Sequence, residues 1–174
     1  GLTYGMYVEL EADAEDGTGN ADENHIFVSG DFGKVILGNQ DSAGDNLKVN
    51  ASSVGFTYGM MGNYTGSNTP GSNARTTTGF NDASDDSKIT YFTPTFNGFK
   101  AGISFAPDAD NTNTVSRNNT DFDNHVDGGL NYSGSFNDFS IDAGIAAGTH
   151  EVQQAGGSDH TYYAVTGGVK VGYA

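Results

Sequence analysis

Alternation of apolar and polar residues with a period of two recurs along this chain, and it constrains the fold more than any other feature. Residues 2–12 carry it best: Leu2, Tyr4, Met6, Val8 and Leu10 fall on one face, and Thr3, Gly5, Tyr7, Glu9 and Glu11 on the other. On a helix this spacing would scatter the apolar groups around the axis, whereas on a strand it yields one oily and one wet face. The pattern returns at 99–105, where Phe99, Ala101, Ile103 and Phe105 oppose Lys100, Gly102 and Ser104. It returns again at 139–149, where Phe139, Ile141, Ala143, Ile145 and Ala147 oppose Asp142, Gly144 and Gly148. Asn97-Gly98, between two alternating runs, is a strong hairpin signal.

Eight strands are predicted: 2–12, 23–29, 34–40, one on each side of the 94–98 link within 86–106, then 121–134, 139–149 and 160–173. The links between them alternate in length. Those at 13–22, 107–120 and 150–159 are long and that at 41–85 is very long, while 30–33, 94–98 and 135–138 are short. One end of the sheet thus carries tight turns and the other long loops, which is the asymmetry of outer-membrane barrels. The long stretch 41–85 calls for a function of its own, because structureless loops of that length are uncommon inside a compact domain. An apolar island at 54–61 within it implies that part of it packs against something.

Charge placement sharpens the reading. The strand charges Glu9, Glu11, Glu23, Lys34, Lys88, Lys100, Asp127, Asp142 and Lys170 all avoid the apolar face of their strands. A soluble sandwich would also keep charge off its core face, but its wet face is normally dense in charge. Here that face is mostly Gly, Ser, Thr and Asn. Tyr4, Phe99, Phe122, Tyr132, Phe139, Tyr163 and Tyr173 sit near strand ends, as in the aromatic girdles of membrane barrels. The net charge of −15, from 22 acidic against 7 basic residues, would repel nucleic acid. Aromatics at 11% argue against an acidic disordered chain. There is no cysteine, and no apolar run approaches the ~18 residues of a membrane helix. The start, Gly1-Leu2-Thr3-Tyr4, has no leader-like character, so the sequence reads as a mature form or a piece of one.

Two segments, SGDFGKVILGNQD at 29–41 and SKITYFTPTFNGFKAGISFAPD at 87–108, resemble the Gram-negative general diffusion porins, especially the alphaproteobacterial type. The first is similar to that family's turn and strand before the constriction loop, the second to the hairpin after it. The resemblance implies an all-β transmembrane antiparallel barrel of about sixteen strands, of which about eight are present in this single partial domain, 1–174. It also implies a homotrimer in the outer membrane of a Gram-negative bacterium, in contact with lipid and lipopolysaccharide. Loop 41–85 would fold inward and narrow the pore, with Asp41 and Asp45 carried over as constriction acids facing a basic wall. The chain departs from the family in strand number, in ending at Tyr173-Ala174 without a terminal aromatic, and in lacking an arginine cluster, since Arg75 and Arg117 fall in loops. An internal segment of a longer porin accounts for all three. A small closed eight-stranded barrel is the alternative, but its inward Gly, Ser and Ala residues would fill it poorly.

The expected function is passive diffusion of small hydrophilic solutes and ions, with a mild cation preference. Glu9, Glu11, Lys100, Asp127, Asp142 and Lys170 are the candidate pore-lining charges. No catalytic arrangement is visible: His25, His125, His150 and His160 lack metal spacing, and no G-x-S-x-G occurs. No cofactor is required. Weak calcium binding through loop carboxylates is considered at Asp13, Glu15 and Asp16, at Asp82, Asp85 and Asp86, and at Asp108 and Asp110. The competing reading is a secreted or surface-layer acidic β protein, calcium-stabilised and structural or adhesive.

Overall fold

The alternating runs pair into one antiparallel sheet of eight strands in sequence order. The computed structural model describes residues 1–11, 20–49, 86–109, 122–152 and 160–173. The strands are β1 (Thr3–Glu11), β2 (Asn20–Gly30), β3 (Gly33–Asn39), β4 (Ser87–Phe92), β5 (Phe99–Ala109), β6 (Phe122–Phe136), β7 (Phe139–Val152) and β8 (His160–Tyr173). A short helix, α1 (Ala43–Leu47), lies between β3 and β4. Among the described residues no helix is long and apolar enough to cross a membrane.

Several strands extend beyond their predicted ends. β5, β6 and β7 run 11, 15 and 14 residues, against the ~5–6 of an ordinary sheet. The extensions Pro107–Ala109 and His150–Val152 lie at the long-link ends. Their polar residues read as loop in isolation, and the ladder with the neighbouring strand is what holds them extended. β1 and β8 are the two edges and do not pair with each other. The sheet is therefore an open wall rather than a small closed barrel.

The tight turns follow the sequence closely. Phe96 bridges Phe99, leaving a two-residue loop with Asn97 at φ 50° and Gly98 at φ 85°. Positive φ at both positions is the type I′ geometry that matches strand twist. The β6–β7 turn narrows from the predicted 135–138 to Asn137-Asp138, because Phe136 pairs Phe139.

The two faces of the sheet differ sharply. One is bare and apolar: Tyr4 is 83% exposed, Leu10 75% and Val165 73%, with Met6, Ile26, Leu37, Ile103, Leu130, Ile145 and Val169 exposed beside them. Burying such side chains is worth ~1.5–3 kcal/mol each, so this face requires an apolar surround. Toward the tight-turn end it is rimmed by exposed Phe32, Phe96, Phe99, Phe136 and Phe139, with Tyr132 packed on Phe99 at a ring distance of 4.7 Å. The other face is covered by α1, which packs across β4, β5, β6 and β7.

The covered face also holds the small apolar core: Ile36, Ala43, Leu47 and Phe92, with Phe27 against them. It is not uniformly polar, as period two alone implied. In Val35-Ile36-Leu37, the outer two residues point to the bare face and Ile36 turns under α1.

Candidate functional site

The segment after β3 is fixed to the covered face residue by residue. A helix leaves its first amides without internal partners, and here each of the first three has one. Ala43 N–H donates to Ser104 Oγ at 2.6 Å, Gly44 N–H to Asp127 Oδ1 at 2.6 Å, and Asp45 N–H to the N-cap Ser42 Oγ at 3.2 Å. Thr90 and Ser104 hydroxyls are 2.9 Å apart and extend the network onto β4. Lys88 Nζ, buried in the wall, donates to the Gln40 carbonyl. At the far end Asn131 Nδ2 donates to Leu47 O at 3.4 Å.

Three glycines on adjacent strands make this close approach sterically possible. A Cβ on Gly102 would meet the Leu47 side chain at 3.1 Å, one on Gly129 would meet Leu47 Cβ at 2.9 Å, and one on Gly144 would meet Leu47 O at 2.6 Å. The inward glycines that read as poor filling for a closed barrel form a trough for Leu47 and the residues after it.

Asp127 sits under this segment. It was expected as a pore-lining charge; its side chain instead lies fully buried beneath α1 and holds the chain there. Its other oxygen is 3.2 Å from His125 Nε2. His125 stacks on His150 with ring centroids 5.9 Å apart and planes at 8°. The β6–β7 register, with Val126 opposite Thr149, brings these two histidines together, a proximity that sequence spacing does not reveal.

Beside α1 the covered face opens into a cavity of about 270 Å³, lined in part by Glu23, Lys34, Asp41, Asn46 and Lys100. Lys34 Nζ lies 4.7 Å from the Phe27 ring centre and Lys100 Nζ 4.7 Å from that of Phe92. Asp41 is exposed at this cavity, while Asp45 is half-buried and ion-paired to Lys48. The two acids carried over together thus stand in different environments.

The remaining candidates are dispersed. Glu9 on β1 accepts from Tyr7 Oη at 3.0 Å. Asp142 accepts from Ser133 Oγ at 2.6 Å and lies opposite Lys170 in the β7–β8 register. Glu11 and Lys170 have described backbones on β1 and β8. Asp86 is buried just before β4, and Asp108 is on β5. Asp13, Glu15, Asp16, Asp82, Asp85 and Asp110 lie outside the described residues, as does 50–85 of the long link. Among the described residues no three potential metal ligands gather.

Lys34, Phe27 and Phe92 were not among the site candidates. The signal for Lys34 was its position on the polar side of β3, and for Phe92 its shared parity with Lys88 and Thr90, an aromatic on the wrong face for lipid.

A sequence profile of the family described as Gram-negative porin matches residues 1–174. An uncharacterized protein of Rickettsia conorii is 31% identical over 113 residues, covering 53% of this chain and 26% of that protein. Among solved structures, the anion-selective porin from Comamonas acidovorans matches with a TM-score of 0.59 at 20% identity, covering 97% of this chain and 48% of that one. The chain therefore spans about half the length of the solved relative and about a quarter of the curated one.

Proposed function

Since this chain belongs to the Gram-negative porin family and is accordingly an outer-membrane protein, we propose that it forms part of a pore for passive diffusion of small hydrophilic solutes and ions. One observation carries the reading: a chain segment is pinned against the polar face of a sheet whose opposite face is bare and apolar. A barrel wall with lipid outside and water inside needs the bare apolar face, and a segment pinned to the opposite, polar face is placed to narrow the channel. The competing soluble, surface-layer reading leaves the bare face without a surround.

In this proposal the stretch 41–85 is the constriction, anchored through Ser42–Leu47, and what passes is set by its width and charge rather than by chemistry. A homotrimer in contact with lipid and lipopolysaccharide is part of the proposal. So is a mild cation preference, supported by the net charge of −15 and by Asp41 at the cavity. Lys34 and Lys100 oppose it locally, which keeps the preference mild. The anion selectivity of the Comamonas protein belongs to that protein. Reversal potentials of the full-length protein in planar bilayers under a salt gradient test the proposal. A shift toward the cation potential is expected, and a shift toward the anion potential would refute the preference.

A further inference from the structure

The cavity beside α1 holds charges of both signs, sorted by height along the strands. Lys34 is the second residue of β3 and Lys100 the second of β5, so both follow tight turns. Glu23 lies toward the opposite end of β2, and Asp41 lies just beyond β3. The register agrees: Lys34 is opposite Ser29, whereas Asn24, next to Glu23, is opposite Asn39. The lysines thus mark the tight-turn end of the cavity and the carboxylates the long-link end. Among the described residues neither lysine is ion-paired; each lies over an aromatic ring. A ring face orients an ammonium without using up its three donors.

We propose that this cavity is a transit subsite for small zwitterions. The solute carboxylate is taken by Lys34 and Lys100, and its ammonium by Glu23 and Asp41. A simple anion in the cavity meets two attractions and two repulsions, and so does a simple cation. A zwitterion lying along the strands gains both attractions, and at a partly desolvated site these are stronger than in open water. Phe92 beside Lys100 offers an apolar surface for the carbon chain between the two charges. A volume of about 270 Å³ limits the occupant to a small molecule. The inference rests on the pore reading above and names the solute class that interacts with the wall during passage.

The test uses the full-length protein in planar bilayers and three four-carbon solutes: 4-aminobutyrate, succinate and 1,4-diaminobutane. Saturable current noise or partial block is expected from 4-aminobutyrate, with the other two about tenfold weaker. The Lys34→Gln, Lys100→Gln double variant should reverse the order and make the diamine the strongest blocker. Glu23→Gln should weaken 4-aminobutyrate and strengthen succinate. Equal block of the wild-type pore by all three solutes overturns the subsite and needs no variant. A protein that forms no channel at all overturns the pore reading itself.

Discussion

The fit of α1 into its glycine trough gives a prediction with a built-in control. In Gly144→Ala the added methyl would lie 2.6 Å from Leu47 O and 3.1 Å from Val49 N, where ordinary contact begins at 3.4 Å. Both neighbours are backbone atoms, so about 0.8 Å must come from movement of a whole segment. β7 is hydrogen-bonded to β6 and β8 along its length, so the five-residue helix is the part that yields. Overpacking of this kind costs ~1–3 kcal/mol, enough to change the docked-to-undocked ratio of the segment ~5–150-fold. Gly167→Ala is the control: its Cβ, on the bare face, meets only Gly144 O at 3.6 Å. Single-channel recording of the full-length protein should show altered conductance and greater open-channel noise in Gly144→Ala, with Gly167→Ala like wild type. Traces of a fully folded Gly144→Ala barrel that superimpose on wild type would refute the docking of this segment in the channel.

Three further predictions follow from the same geometry. Asp127→Ala removes the acceptor of the Gly44 amide and should weaken docking by ~1.5–3 kcal/mol, read as increased protease cleavage within 41–85 while the barrel stays heat-resistant on gels; unchanged cleavage would count against the anchor. Asp41→Asn should lower the cation preference more than Asp45→Asn, because Lys48 already offsets Asp45; reversal potentials compare the two, and a larger effect at Asp45 would be contrary. Ile103→Lys on the bare face should cost ~2–4 kcal/mol of folding free energy in lipid, measured by urea titration in vesicles, whereas a soluble sheet would tolerate it.

The strands and turns were legible because their causes are local. Alternation fixes which side chains share a face, and Asn97-Gly98 fixes a turn because few residue pairs accept positive φ at both positions. Strand ends were less legible. Residues such as Asp108 and Glu151 have no strand character of their own, and a partner strand holds them in the ladder. Parity placed Asp127 correctly on the polar face but could not tell a charge facing water from one sealed under another segment. That difference depends on Gly44, 83 residues away in the chain.

By itself the sequence determined an antiparallel sheet with one apolar and one polar face: period two, charge confined to one face, and short links alternating with long ones leave few other folds. The tertiary structure decided what covers the polar face. Ile36 and Phe92 contradict their strands' pattern until Leu47 packs on them, and Gly102, Gly129 and Gly144 are gaps in the pattern until α1 fills them. The physical reason is range. Facing and turning are set by neighbours in the chain, whereas docking is set by groups from five elements that meet only when the sheet has formed.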